Sequence, residues 1–252
     1  MPRSLETQAE SLPLRELFAV DLRPEATPDQ PAARREAAPD WAALEPRTLW
    51  YRAGRPALDV GLLLVALPIA VPLTLAVAGA SAIAFGSVRR VFFLQPRTGH
   101  RGRVFELVKF RTMSEPKGTT FEAWSTGDRA RVTPFGRFLR STHLDELPQL
   151  YNVLRGEMSF IGPRPEMVEV EAWASDEVPG FSERLAIKPG ITGLAQVTQG
   201  YTPRDVDAYR RKLAINREYL ATLSMSRDLG IVVRTALWML RGRGWKWRSA
   251  SK

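Results

Sequence analysis

Residues 60–88, VGLLLVALPIAVPLTLAVAGASAIAFGSV, contain no charged side chain. No other feature constrains this chain more, because about 18 or more consecutive apolar residues suffice to cross a hydrocarbon core. A buried helix of a soluble protein is the competing reading, but such helices usually keep a polar face. Pro68 and Pro72 fall near the middle of the run, and each removes a helical hydrogen bond and kinks the chain. The arms on either side of Pro72 reach only about 18 and 24 Å at 1.5 Å per residue, short of a core about 30 Å thick. Arg47, Arg52 and Arg55 precede the run, while Arg89, Arg90, Arg97, Arg101, Arg103, Lys109 and Arg111 follow it. Positive residues favour the cytoplasmic side. Two positive flanks therefore predict a re-entrant segment that enters, bends at the prolines and returns. A kinked full span is the alternative.

Residues 1–48 are rich in Ala, Pro, Glu and Arg and read as a disordered arm, with LRELFAVDL (14–22) a short frayed helix inside it. Charges run through the first fifty residues, so no signal peptide is expected. The chain has 252 residues, with 36 Lys+Arg against 27 Asp+Glu, a net charge of +9. That excess suits a polyanion: nucleic acid, an anionic membrane surface or a phosphorylated substrate. There is no cysteine, which excludes disulfides and thiolate metal sites, and two histidines are too few for a His-rich metal site.

Residues 91–113 hold two apolar runs around Gly99 and Gly102, a hairpin pattern. Residues 114–130 read as a mobile polar loop, 134–156 as helical, 164–178 as a helix, 187–197 as loop and strand, and 203–222 as a charged helix. The tail, DLGIVVRTALWMLRGRGWKWRSASK, is basic and amphipathic, with Trp238, Trp245 and Trp247. Such a helix suits the headgroup layer of a membrane. Nucleic acid could use the same residues, but beside an uncharged segment the membrane reading fits better, and no nucleic-acid partner is expected.

The chemistry concentrates in RSTHLDELPQLYNVLRG (140–156). Asp145 and Glu146 are adjacent carboxylates. Pro148 suits the first turn of a helix and Gly156 its end, so the pair should sit at or just before a helix N-terminus. Neighbouring positions there point about 100° apart. One carboxylate is then free to attack a substrate while the other holds a metal ion. A pair that merely stabilises the helix is the alternative. Arg137, Arg140, Arg155 and Arg164 surround it in sequence, and arginine binds phosphate bidentately. Prolines flank Arg164 and would fix its backbone. Lys109 and Arg111, on an expected strand, are further phosphate ligands. No complete P-loop or Rossmann fingerprint is present.

At these residues the chain resembles the bacterial sugar transferase family, the monotopic polyprenyl-phosphate phosphoglycosyl transferases. The resemblance covers roughly residues 55–245. Its elements come in family order: Arg55-Pro-Ala-Leu-Asp59, the proline-broken segment, Gln95-Pro-Arg97-Thr-Gly99, and Lys109-Phe-Arg111-Thr-Met113. Then follow Arg131-Val-Thr133, Gly136-Arg137-Phe-Leu-Arg140, Leu144-Asp145-Glu146-Leu-Pro148-Gln149, Asn152 to Gly156, Gly162-Pro-Arg164-Pro165 and Lys188-Pro-Gly190-Ile-Thr-Gly193. Each motif is weak alone, whereas the ordered set is specific.

The resemblance implies transfer of a phosphosugar from a UDP-sugar to polyprenyl (undecaprenyl) phosphate, by way of a phosphosugar on Asp145, with release of UMP. Glu146 matches the residue that helps hold Mg²⁺. Arg140 and Arg164 match phosphate or substrate ligands, and Pro72 matches the proline that breaks the re-entrant helix. It also implies the bacterial inner (cytoplasmic) membrane, with the catalytic domain on the cytoplasmic face, and initiation of exopolysaccharide or glycoconjugate synthesis. Val71 stands where Ser commonly precedes the helix-breaking proline. Arg89-Arg90 replaces a frequent Gly-Pro pair, and His143 stands where Ser is common.

The expectation is an α/β chain. It has a disordered arm (1–48), a re-entrant membrane helix with its flank (49–90), and a mostly helical catalytic domain with a small β-hairpin and an amphipathic C-terminal helix (91–252). It looks like the family's minimal catalytic form. A homo-oligomer stays open, as does a non-catalytic membrane scaffold in a polysaccharide assembly complex.

Overall fold

The structure, a computed structural model, describes residues 39–114, 128–200 and 202–240. Most of the expected arm therefore lies outside the described residues, but its end does not. Asp40 caps a short helix, α1 (Trp41–Leu44), its carboxylate accepting from the Ala42 and Ala43 N–H groups. Glu45 then accepts from the Tyr51 hydroxyl at 2.9 Å and pairs with Arg101. Local capping and a charge pair thus give residues 40–45 a defined conformation at the end of the stretch that composition assigns to the arm.

The apolar run forms one helix, α2 (Arg55–Phe85), entered through a π turn at Trp50–Gly54. Pro56 sits in its first turn, where no N–H is needed, and Gly86 ends it in the left-handed region at φ 67°. The helix carries through Pro68 and Pro72 without a break in its residue span. Leu63, Ala70, Val77 and Ser81 are buried, while Val60, Leu64, Val65, Ile69, Val71, Leu73, Leu75 and Ile83 are exposed. One stripe, repeating about every seven residues, thus faces protein, and the rest of an apolar surface faces outward. Such a surface suits lipid. By length and composition α2 and its entry turn could cross a membrane.

Both halves of α2 rest on the same domain. Leu63 packs with Leu107, Val153 and Met158. Val77 packs with Val91, Phe110 and Leu139. At its start, Asp59 accepts from the Ser159 hydroxyl and the Phe160 N–H, both at 2.9 Å. Arg55 donates to the Ile161 carbonyl and lies 3.3 Å from the Asp228 carboxylate. Asp228 is buried and also accepts from Trp50 (2.9 Å) and Tyr219 (2.6 Å).

The expected hairpin is present as β1 (Phe92–Thr98) and β2 (Val104–Phe110), antiparallel from Phe92 opposite Phe110 to Thr98 opposite Val104. A second, parallel pair joins β3 (Ser159–Ile161) to β4 (Gly190–Thr192). A Cβ on Gly190 would lie 2.1 Å from the Gly162 nitrogen, so this approach requires glycine. Strands of three residues show no alternation to read, which is why β3 is missed by periodicity.

Short helices α3 (Asp128–Arg131), α4 (Pro134–Ser141) and α5 (Gln149–Leu154) follow the hairpin, then α6 (Val168–Glu177), α7 (Leu194–Gln199), α8 (Val206–Ala221) and α9 (Met225–Leu240). Residues 115–127 of the expected mobile loop lie outside the described residues, and α3 occupies its end. The helical reading of 134–156 resolves into α4, a 3-10 turn and α5. Of the run 187–197 expected as loop and strand, β4 takes Gly190–Thr192, and α7 begins at Leu194. Met225, Leu229, Val233, Leu237 and Met239 leave an exposed apolar stripe on α9. Trp245 and Trp247 lie outside the described residues.

Candidate active site

The site is assembled by close packing of α4 on the segment that follows β2. Thr133 caps α4, accepting from the Gly136 N–H at 2.9 Å. A Cβ at Gly136 would sit 1.9 Å from the Thr112 carbonyl oxygen, so only glycine lets the helix press this close. One turn on, the Arg140 Nε donates to the Thr112 hydroxyl at 2.8 Å. Helix α4 ends at Ser141 with Thr142 as its cap; His143 comes next, a non-glycine residue at φ 57°, and a 3-10 turn, Leu144–Glu146, follows it directly. Asp145 and Glu146 therefore sit on a tight turn just before α5, with Pro148 as the residue that opens α5. Beneath them, the buried Asn152 ties α5 to β2: its oxygen accepts from the Val108 N–H at 3.1 Å, and its amide donates to the Glu106 carbonyl at 2.7 Å.

The two neighbouring carboxylates have different environments. Glu146 Oε1 accepts from Arg164 Nη2 at 2.6 Å and lies 3.4 Å from Lys109 Nζ. Burial alone would raise the Glu146 carboxyl, but the charges of Arg164 and Lys109 outweigh it and hold the group well below the usual carboxylate range. Asp145 is half-buried and makes no hydrogen bond among the described residues. Burial is the main influence on it and pushes its carboxyl above the ordinary value, with Glu146 adding to the rise and Lys109 and Arg140 opposing it. One carboxylate is thus clamped and ionised, and the other is unclamped and more basic. Paired groups pushed apart in this way are suited to two roles.

Cations line the same turn. Burial pushes Lys109 down to about 8, partly offset by Glu146. Arg97, behind Arg164, donates to the Pro165 carbonyl at 3.0 Å and to Gln95 at 2.6 Å. Burial pushes it down to about 10, with Arg164 adding to the fall. Of the phosphate ligands expected from sequence, Lys109 and Arg164 converge on Glu146, and Arg140 reaches Asp145 through its charge. Arg111 donates instead to the Arg90 carbonyl at 3.2 Å, and Arg137 to the Val132 carbonyl at 3.4 Å.

A buried ionic cluster supports Arg164 from below. Arg184, with no exposed surface, donates to the Arg164 carbonyl at 3.0 Å and pairs with Glu171, while Lys212 pairs with Glu166. Sequence reasoning missed these four. Their signal is only a charge at core spacing, as at Lys212 on the α8 face that carries the buried Tyr209, Leu213 and Asn216.

Among the described residues no cluster of three His, Asp or Glu side chains offers a metal cage. Glu146 Oε2, however, makes no hydrogen bond among those residues. One carboxylate oxygen fits Mg²⁺ of the kind that takes most of its ligands from substrate phosphates and water.

Residues 50–242 match the family model described as Bacterial sugar transferase. A UDP-glucose:undecaprenyl-phosphate glucose-1-phosphate transferase of Caulobacter vibrioides is 42% identical over 159 residues, covering 62% of this chain and 59% of that protein. A UDP-N-acetylgalactosamine-undecaprenyl-phosphate N-acetylgalactosaminephosphotransferase of Aeromonas hydrophila is 40% identical over 190 residues, 74% of this chain and 44% of its own length. The Exopolysaccharide production protein ExoY of Sinorhizobium fredii is 36% identical over 201 residues, 74% of this chain and 85% of its own length. The chain spans about half the length of the first two relatives and most of the third.

Proposed function

The chain belongs to the bacterial sugar transferase family, and from that premise we propose that it moves a sugar-1-phosphate from a UDP-sugar to undecaprenyl phosphate. The observation that carries this reading is the unclamped, basic Asp145 beside the doubly paired Glu146. An Asp145 oxygen attacks the sugar-bearing phosphorus. A bond forms between that oxygen and phosphorus, the bond to the bridging oxygen of the diphosphate breaks, and UMP departs. The phosphosugar stays on Asp145. An oxygen of undecaprenyl phosphate then attacks the same phosphorus, the aspartyl bond breaks, and a polyprenyl diphosphate sugar results. Carboxylate nucleophiles at phosphorus split one difficult displacement into two.

Arg164, Lys109 and Arg140 supply positive charge where the transferred group gains negative charge. Glu146 would hold a Mg²⁺ ion, which when bound would supply further neutralisation of phosphate charge. Each step exchanges one phosphate linkage for another.

The outward apolar surface of α2 supports membrane seating. Its two halves packing on one domain supports a re-entrant path, with the active site on the cytoplasmic face of the inner membrane, where the lipid phosphate meets a soluble UDP-sugar. Cysteines placed at Thr48 and Ser114 should then label from one side only, and labelling from opposite sides would mean a full span. The product would begin a surface polysaccharide, as the relatives' names suggest for them.

The activity is tested by UMP release from the purified protein with Mg²⁺ and UDP-glucose, UDP-galactose or UDP-N-acetylgalactosamine, with and without undecaprenyl phosphate. Release stimulated by the lipid with at least one donor is expected. No release with any of them would count against the reading.

A further inference from the structure

His143 holds an unusual position. It follows Thr142, the cap of α4, and its N–H donates to the Arg140 carbonyl at 3.3 Å as that helix closes. Chains that end a helix with a left-handed residue usually place glycine or asparagine there, because a side chain is strained at positive φ. Here the residue is histidine at φ 57°. Its carbonyl accepts the Glu146 N–H at 3.1 Å, so this strained residue is also the first hydrogen-bonding link of the turn that presents Asp145.

No hydrogen bond anchors the imidazole at its Nε2, which is buried and without a partner among the described residues. What meets the ring is Trp238, far along the chain on α9. The two ring centroids are 5.5 Å apart with the planes tilted by 37°, within the range of favourable aromatic contact. Trp238 is half-buried, so this indole is partly spent on a protein contact and is not simply a headgroup anchor as its composition suggests. Helix α9 is itself fixed to the fold, Asp228 to Trp50 and Arg55 and Thr235 to Thr192 at 2.7 Å.

We propose that Trp238 is a positioning residue for the catalytic turn: its indole packs against the His143 imidazole and holds that residue in the left-handed conformation from which the Asp145–Glu146 turn starts. Trp238 touches no reacting atom in this account and acts through His143. The inference deepens the transferase reading, since the turn it stabilises is the one that reading makes reactive. Glycine at 143 adopts positive φ without steric cost, so a His143→Gly chain should need the indole far less.

The test is a double-mutant cycle on the full chain with two readouts, amide hydrogen exchange across residues 141–147 and the kinetics of UMP release with the three UDP-sugars named above. Trp238→Ala should speed exchange at the Glu146 amide about tenfold and lower kcat by a similar factor with KM little changed, the order expected for one strained left-handed residue. Trp238→Phe should restore both, because a ring still fills the contact. In the His143→Gly background the same Trp238→Ala change should alter either quantity by less than about twofold. Equal losses in both backgrounds, or no change in turn exchange when the indole is removed, would overturn the proposal. If the wild-type chain releases no UMP, the transferase reading fails, and the exchange readout still decides whether Trp238 holds the turn.

Discussion

Two groups of carboxylates meet cations in this domain. Glu166 and Glu171 pair with Lys212 and Arg184 in the interior, all four of them buried. Glu146 meets Arg164 and Lys109 at a half-buried turn, with Asp145 next to it and outside those pairs. Burial dominates Glu171 and pushes its carboxyl up to about 7 despite Arg184, whereas at Glu166 and Glu146 the neighbouring cations outweigh burial and hold the carboxyl low. What sets the interior cluster apart is its place: its charges meet inside the fold, and Arg184 grips the Arg164 backbone. The turn leaves one oxygen of Glu146 and the Asp145 carboxylate without a hydrogen bond among the described residues. Arg164 belongs to both, its carbonyl held from below and its guanidinium clamping Glu146 above.

The sharpest way to separate the two regions is to remove one carboxylate charge from the turn. Asp145→Asn should lower transfer by about 10³-fold or more, as expected for loss of a nucleophile, while membrane association and the denaturation midpoint stay close to wild type. Turnover near the wild-type rate would refute the nucleophile assignment. The interior should behave in the opposite way. Lys212→Met strands Glu166 in the core and should cost about 3–5 kcal/mol of folding stability, read by chemical denaturation, with the activity per folded molecule changed much less. A variant that stays fully stable but loses catalysis would erase the distinction.

Arg164 joins the regions, so Arg164→Met should show both effects at smaller size. Transfer should fall about 10–10²-fold from the lost charge at the turn, with a modest loss of stability. The smallest effect concerns pH. Lys109 is 3.4 Å from Glu146, burial has brought it down to about 8, and in the proposed mechanism it acts as a cation. Activity should therefore decline as pH rises through about 8. Lys109→Arg should move that limb upward, because guanidinium keeps its proton. On the acid side, Asp145 has to be ionised, and its raised carboxyl should make activity fall at a higher pH than an ordinary aspartate would. A limb near 8 that is unchanged in Lys109→Arg would detach Lys109 from the site.

Much of the site was legible because its chemistry is local in sequence. Asp145, Glu146 and Pro148 lie within four positions, and the glycines and prolines around Arg164 announce a fixed loop. The hairpin was legible from its turn glycines, and α2 from its unbroken apolar run. The rest depended on partners distant in sequence. Nothing at Lys212 signals a glutamate 46 positions earlier. Helix α7 was obscured because LAQV reads equally well as a strand. The short helix after Asp40 has no signal in composition, because a single capping residue is invisible to it.

The central claim is that Asp145 carries the phosphosugar between donor and lipid. The most direct measurement is intact-protein and peptide mass spectrometry after incubating the protein with Mg²⁺ and a UDP-sugar that supports UMP release, with the lipid acceptor left out. The account expects one sugar-phosphate adduct on the peptide containing Asp145, absent in Asp145→Asn and discharged when undecaprenyl phosphate is added. An adduct on another residue, or lipid-dependent UMP release with no adduct at any time, would contradict it.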